Sequence, residues 1–338
     1  MIRLLSPLEN ETVSILTDIQ KTFIAATEKR AAVDGNLTFQ WDDLVREGVD
    51  SSVPEPVTLR WEGACGATVS LWPADYPEQV TTVTATPDTC EVRVLNLIPE
   101  TTYVWQVADG PKSTFVTGDG PRFMYVDGTT NVRDLGGWRG RDGKRIRYGK
   151  IYRGSELDSH CDLTEHGART MVEEMNIRTD LDLRGKGEIA ALEGKRVLVP
   201  YGVDWCHIPE APYDNIFSEE WHDGYRQIFT LLANPEAYPI YFHCWGGADR
   251  GGTLAFMIEA LLGVSREELL LDYELTSLSP WGTRSRNYPP FQKMLATFEE
   301  KGDSDLHRGV EVYLKEIGIT DEQIATIRTI TKDGEDHA

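Results

Sequence analysis

Cys244 and Arg250 stand six positions apart across the glycine-rich stretch His243-Cys-Trp-Gly-Gly-Ala-Asp-Arg-Gly251, and these residue types at this spacing suit chemistry on a phosphate ester. A free thiol, with a pKa of about 8.5, is mostly protonated at neutral pH; a nearby arginine and a helix N-terminus convert it to the nucleophilic thiolate. Arg250 presents a planar fork that pairs two phosphate oxygens at once. Glycines at 246, 247, 251 and 252 let backbone N–H groups approach an oxygen where a side chain would clash. Attack of sulfur on phosphorus, then hydrolysis of a cysteinyl-phosphate, is the reaction these parts assemble. A buried, inert cysteine would leave the adjacent histidine, the four glycines and the arginine at that offset unexplained.

Positioning these groups needs a strand before the loop and a helix after it. Residues 238–243 read as a buried strand and residues 252–262 as an apolar helix. The N–H groups of Trp245, Gly246, Gly247, Ala248 and Gly251 then form a phosphate-binding cradle at the positive end of a helix dipole. His243 takes a supporting part, orienting the loop and tuning the thiol. The leaving oxygen needs a proton, and two carboxyl groups are candidates. Asp249 lies inside the loop; Asp214 lies thirty residues before Cys244 in the turn-rich stretch Pro209-Glu-Ala-Pro-Tyr-Asp-Asn215, a possible lid.

A second block carries eight Lys or Arg against two Asp between residues 131 and 153, inside a chain with 34 basic and 55 acidic residues and a net charge of −21. It contains Asn131-Val-Arg-Asp-Leu-Gly-Gly137 and Tyr148-Gly-Lys-Ile-Tyr-Arg-Gly154, and is followed by Asp182-Leu-Arg184 with Glu188. Together with the His-Cys-x5-Arg loop, these motifs resemble the bacterial atypical protein-tyrosine and phosphoinositide phosphatases over residues 122–335. The resemblance implies Cys244 as nucleophile, Arg250 as phosphoryl clamp and Asp249 as acid. Arg133, Asp134, Arg153, Asp182 and Arg184 are then supporting residues. The family loop reads His-Cys-x-Ala-Gly-Lys-Asp-Arg-Thr-Gly, so this chain departs at Gly246, Ala248 and Gly251. Ala248 removes a cation that would grip a polyphosphorylated headgroup, and Gly251 removes a hydroxyl donor to the sulfur.

Between residues 56 and 117 short runs of period-2 alternation, separated by Gly, Pro and Asp, predict an antiparallel sandwich. Leu97-Ile-Pro-Glu-Thr-Thr-Tyr-Val-Trp-Gln-Val107 resembles fibronectin type III domains. The expected fold is therefore multidomain. Residues 1–118 form an all-β fibronectin type III-like sandwich, with a first strand at 12–16, a helical insertion from residue 17, and Trp61, Trp72 and Trp105 in its core. Residues 122–335 form an α/β domain with a mainly parallel sheet, with strands near 123–126, 145–152, 177–183, 197–200, 204–208 and 239–243.

The acidic balance disfavours nucleic acid, which needs a basic footprint. No apolar run reaches the roughly 20 residues of a membrane span, and no Cys-x2-Cys or His-x3-His spacing points to zinc. No cofactor or metal is expected, since the thiolate is the nucleophile and the arginine supplies the charge. Five scattered cysteines and a reactive thiol favour a cytoplasmic location, with Cys65 and Cys90 able to pair if the protein is exported. The reading is a phosphatase for phosphotyrosine or a similar monoester of a protein or lipid, of tyrosine or dual specificity, with an unidentified protein partner for the sandwich. Three alternatives stand beside it: a phosphoinositide or inositol phosphate phosphatase, a weakly catalytic phosphotyrosine-binding module, and a rhodanese-type sulfurtransferase.

Overall fold

The computed structural model describes residues 2–33, 48–190, 192 and 196–333. The chain divides into two compact units: Met1–Asp18 with Pro54–Tyr125, and Ile19–Val53 with Val126–Ala338.

The first unit is built from β1 (Arg3–Ser6), β2 (Glu11–Val13), β3 (Val57–Glu62), β4 (Thr68–Pro73), β5 (Thr81–Thr84), β6 (Glu91–Val94), β7 (Thr102–Val107) and β8 (Lys112–Thr117). One sheet runs β1-β3-β6 and the other β2-β8-β7-β4-β5. Alternation aims Val57, Leu59 and Trp61 from the first sheet, and Val69, Leu71, Trp105, Val107 and Phe115 from the second, into one shared core. All pairings are antiparallel except that of β2 with β8. Where a single first strand was expected at 12–16, the chain makes β1, turns, and joins the other sheet as β2. Trp72 is only half-buried, with the Lys112 ammonium 5.0 Å from its ring centroid, and so differs from the core positions Trp61 and Trp105.

The expected insertion forms α1 (Asp18–Ala25) and α2 (Thr27–Ala31). From Ile19 to Val53, however, the chain belongs to the second unit rather than to the sandwich.

In the second unit β9 (Arg133–Asp134), β10 (Ile151–Gly154), β11 (Thr179–Asp182), β12 (Asp204–His207) and β13 (Ile240–His243) form a sheet of order β12-β11-β13-β10-β9. It is mainly parallel; only the β9–β10 pair is antiparallel. The helices are α3 (Glu165–Arg169), α4 (Lys186–Ala190), α5 (Glu219–Leu232), α6 (Asp249–Leu261), α7 (Arg266–Leu275), α8 (Pro289–Lys301), α9 (Leu306–Glu316) and α10 (Asp321–Thr331). Segments 123–126 and 197–200, expected as strands, are not: the first forms no named strand, and the second contains a 3-10 turn, Val199–Tyr201, closed by Gly202 at φ 87°.

Every residue of α6 from Gly251 to Leu261 is buried, as suits a helix apolar on all sides at the centre of a domain. It packs on β10 and β13. β13 is the middle strand of five, so Cys244 emerges at its C-terminal end, where ligands of parallel sheets bind. Among the described residues no helix is long and apolar enough to cross a membrane.

Cys65 and Cys90 are bonded, with Cα atoms 4.4 Å apart. This is the pair expected to form if the protein is exported, since disulfides persist in oxidising compartments. The bridge closes a loop of 25 residues, and its loss is expected to cost about 3 kcal/mol through the unfolded chain. Cys65→Ser/Cys90→Ser should therefore melt earlier than wild type without reductant, and reductant should remove the difference.

Candidate active site

The loop after β13 is shaped from behind. Arg153, on β10, donates from Nη2 to the Gly247 carbonyl at 2.7 Å and from Nη1 to Asp272. Asn131 donates from Nδ2 to the Gly246 carbonyl at 2.9 Å, and the Glu156 N–H donates to the Trp245 carbonyl at 3.0 Å. Three successive carbonyls are thus held on the outer side. Because a trans peptide sets its N–H opposite its C=O, the N–H groups of Gly246, Gly247 and Ala248 face the other way, toward the cleft. They join the first-turn N–H groups of α6, which have no intrahelical acceptor. This is a nest for an anion.

Two glycines are required by close approach. Gly247 has φ 65°, and a Cβ there would fall 2.3 Å from the Gly154 carbonyl oxygen. At Gly246 a Cβ would fall 2.8 Å from the Trp281 ring. Trp281 occupies that space and donates from Nε1 to Ser155 at 2.7 Å and Thr130 at 2.9 Å.

The cleft over the loop encloses about 300 Å³ and is lined by Glu188, Cys244, Trp245, Gly246, Ala248, Asp249, Arg250, Trp281 and Arg284. Cys244 is buried at its floor. Arg250, in the first turn of α6, pairs both Nη atoms with Glu188 at 2.6 and 2.9 Å. Burial works against its charge, but Glu188 and the Cys244 sulfur outweigh it and hold the guanidinium firmly protonated. Asp249 receives the Arg284 fork at 2.8 and 3.0 Å, together with the Tyr213 hydroxyl. Arg284 keeps its charge in the same way: Asp249 and the tyrosine oxygens overcome burial. Trp245, 38% exposed, and Trp281 face each other with centroids 4.6 Å apart and form an aromatic rim.

Beneath the loop lies a buried charge network. Asp272 accepts from Arg133 Nε at 3.2 Å and from Arg153 Nη1. Burial would raise its carboxyl, yet the two guanidinium groups hold it below the usual range. Burial pulls Arg133 down to about 10. Glu259 on α6 is driven well above the usual carboxyl range by burial and by Asp272. Two guanidinium groups therefore share Asp272 beneath the loop, while burial and Asp272 disfavour the charged form of Glu259.

His243 is fully buried with Nε2 3.0 Å from Asp180 and Nδ1 3.1 Å from the Cys244 carbonyl oxygen. Burial lowers its pKa, but Asp180 and Asp182 raise it further, to about 9. The ring thus favours its charged form between the two carboxylates, with Nδ1 on the carbonyl of the residue that carries the thiol. Asp182 is held far below the ordinary range; burial opposes this, and His243 and Arg184 overcome it. Arg184 forks onto Asp182 at 2.9 and 2.7 Å and reaches Glu156 at 2.9 Å and Asp158 at 2.7 Å. Asp134 caps the turn, accepting from Gly136 and Gly149 N–H at 2.8 Å each.

The structure thus gathers Cys244, Trp245, Gly246, Ala248, Asp249 and Arg250 at the cleft, places Gly247, Arg153 and Arg133 immediately behind it, and sets Asp182 and Arg184 beside it. Asp214 is not brought there. Its carboxylate pairs with Lys293 at 2.7 Å, and its neighbour Tyr213, anchored by its N–H to Thr253 Oγ1 at 2.9 Å, reaches Asp249 instead. In this geometry Asp249, not Asp214, is the candidate acid that lines the cleft. Sequence reasoning missed Arg284, Trp281, Tyr213 and Asp272. The signal for the first two was a loop, Ser279-Pro-Trp-Gly-Thr-Arg-Ser-Arg-Asn287, that carries a tryptophan and two arginines between helices.

A family model described as "Tyrosine phosphatase family" matches residues 124–331. A Cupriavidus necator protein whose name reads "Putative tyrosine-protein phosphatase" is 28% identical over 173 residues, 44% of this chain and 61% of that protein, so the chain spans about six tenths of the relative's length. Among solved structures, the core catalytic domain of the PP-IP phosphatase SIW14 from S. cerevisiae matches at 16% identity and TM-score 0.30, over 46% of this chain and 88% of that one. P. aeruginosa TpbA matches at 13% identity and TM-score 0.29, over 55% of this chain and 88% of that one. With more than half of its residues under the family model, from the sheet through the nucleophile loop to the last helix, this chain belongs to the tyrosine phosphatase family.

Proposed function

We propose that the protein is a phosphatase that hydrolyses phosphotyrosine or a similar aryl phosphate monoester through a cysteinyl-phosphate. The observation that carries the reading is the nest: a buried sulfur in a cleft lined by the loop, with Arg250 beside it and three successive loop carbonyls held on the outer side by Arg153, Asn131 and the Glu156 N–H. Phosphate enters with its oxygens on the loop N–H groups and on Arg250, which turns its fork from Glu188 to the dianion. Sulfur attacks phosphorus, the ester oxygen departs, and water then breaks the S–P bond. Donors fixed in this way are each worth a few kcal/mol of barrier.

Asp249 stands at the cleft as the group to protonate the leaving oxygen. In the resting geometry Arg284 and Tyr213 donate to it, so its carboxyl oxygens must be released from these donors before they reach the ester oxygen. A phenol, with a pKa of about 10, leaves with less help than an alkyl alcohol. The chemistry therefore favours aryl esters, as does the Trp245–Trp281 rim, which offers ring faces to an arene. The inositol phosphate reading stands second because Arg284 restores in space a cation that Ala248 lacks in sequence. The first unit, a two-sheet sandwich of fibronectin type III-like character, serves as a positioning module for a protein partner.

Metal-free phosphate release from a phosphotyrosine peptide and from a phosphoinositide, assayed side by side with Cys244→Ser as blank, tests the reading. Peptide hydrolysis that vanishes in the mutant is expected. Preference for the lipid would promote the second reading, and equal tight binding without turnover would leave only a phosphate-binding module.

At Gly251 a Cβ would meet only Phe242, at 3.9 Å, so there is room for a hydroxyl side chain. Gly251→Thr is expected to speed breakdown of the sulfur intermediate, raising kcat about tenfold by adding one donor to the sulfur and shrinking the pre-steady-state burst of aryl alcohol. An unchanged kcat and burst would show that the sulfur leaves without it.

His243 gives a pH dependence with a definite sign. Its folded pKa of about 9 exceeds the ordinary 6.5, so the stability it contributes is full below about pH 6.5 and is lost as pH rises through about 9. The stability difference between wild type and His243→Gln should therefore shrink between pH 7 and 10 in denaturant titrations. A constant difference would mean the imidazole is buried neutral.

A further inference from the structure

The helical insertion of the second unit has no part in the reaction described above, yet it is bonded to the loop that supplies Arg284 and Trp281. Asn287 donates from Nδ2 to the Ala31 and Val33 carbonyls at 2.9 and 2.8 Å, and Ser285 Oγ donates to the Val33 carbonyl at 3.1 Å. Arg30, buried, places Nε 3.0 Å from Glu274 Oε2 while Arg286 grips the same carboxylate at 2.7 and 3.0 Å. Arg30 also donates to the Phe23 and Ile24 carbonyls, which ties α1 to α2. On the return of the chain toward the sandwich, Ser51 N–H donates to the Leu278 carbonyl at 2.7 Å. Ser52 Oγ accepts from the N–H of Asn131, whose side chain holds Gly246.

The loop between Leu278 and Tyr288 is thus gripped at both ends by one inserted segment, with the two cleft residues at its middle. Arg284 owes its place to this grip: its Nη1 is spent on carbonyls of the loop itself, those of Trp281 and Thr283 at 3.2 Å, so it moves as the loop moves. We propose that the insertion is a positioning element of the active site, in which Arg30, through Glu274 and Arg286, sets the loop that places Arg284 on Asp249 and Trp281 over Gly246. The inference rests on the phosphatase reading only for its kinetic consequence.

The test uses the full chain and three variants, Arg30→Ala, Asn287→Ala and Arg284→Ala, with Arg30→Ala/Arg284→Ala to close a double-mutant cycle. Amide hydrogen exchange over residues 278–288, affinity for inorganic phosphate, and KM and kcat for an aryl phosphate are read. Arg30→Ala and Asn287→Ala are each expected to speed exchange in that loop and not in the sandwich. Both should weaken phosphate affinity and raise KM about tenfold, the worth of one charge-assisted contact, with kcat within about threefold. The double variant should be no worse than Arg284→Ala. A merely structural role would lower the active fraction, and so kcat, while leaving KM and phosphate affinity in place. Unchanged loop exchange, unchanged phosphate affinity, or additive losses in the double variant would each overturn the proposal. If Arg30→Ala fails to fold, Asn287→Ala, which removes only a half-exposed donor, is read in the same way. If wild type releases no phosphate, the phosphatase reading falls, while exchange and phosphate affinity still decide this one.

Discussion

The grip of Arg153 on the Gly247 carbonyl and on Asp272 is the constraint on which the rest of the site depends. A fully buried guanidinium is tolerated only when its charge and its donors are answered. Asp272 answers the charge and takes Nη1, the loop carbonyl takes Nη2, and only Nε is left without a hydrogen-bond partner among the described residues. With that carbonyl fixed outward and Gly247 at positive φ, the peptide N–H groups have one direction left to face, which is toward Cys244. The cradle is therefore not a property of glycine content alone. It requires a cation behind the loop, delivered by β10, the strand next to β13. Asp272 is shared with Arg133, which in turn orders Asn131 and its bond to Gly246, so one buried carboxylate sets two of the three loop carbonyls.

The departures of the loop from its family pattern become intelligible once the 279–287 segment is in view. Gly246 is small because the Trp281 ring occupies the space its side chain would need, and that ring is itself pinned by two hydroxyl groups. Ala248 has no cation, yet Arg284 stands in the same cleft, tied to Asp249. A loop residue and a distant side chain have exchanged tasks in both cases. At Gly251 a Cβ would make only an ordinary contact with Phe242, at 3.9 Å, so no neighbouring side chain requires glycine there as Trp281 does at Gly246.

What the sequence made legible follows from how local each cause is. The strand-loop-helix around Cys244 was readable because its periodicity, its glycines and its apolar helix lie within twenty-odd contiguous residues. The placement of Arg133 and Arg153 near the loop was legible only through motif likeness, since the pairing of β9, β10 and β13 is long-range. Arg284 and Trp281 were illegible: no local pattern tells a surface loop rich in arginine from one folded over a site. The insertion was seen as helical because α1 carries a buried Phe23 and Gln20 on one face, but its packing partner was assigned wrongly. Propensity reports what an element is, not what it lies against. The position of Asp214 was illegible for a related reason: turn composition suggested a lid, and only the structure shows its neighbour Tyr213 hydrogen-bonded to Thr253 and Asp249 of α6.

The electrostatics operate on two length scales. A chain of net charge −21 repels a phosphate dianion at a distance, though screening confines that repulsion to about 8–10 Å at ordinary salt. Around the loop each cation faces carboxylates of its own: Arg133 and Arg153 face Asp272, Arg184 faces Asp182, Glu156 and Asp158, and His243 faces Asp180 and Asp182. These charges are buried and fixed, so little reorganisation is required when phosphate arrives. At the mouth the first contact is the Trp245–Trp281 rim rather than a charged surface. Under the proposed phosphatase reading, an arene at that rim would gain a foothold before its phosphate reaches the loop, which a free polyanion, repelled by the exterior, would lack.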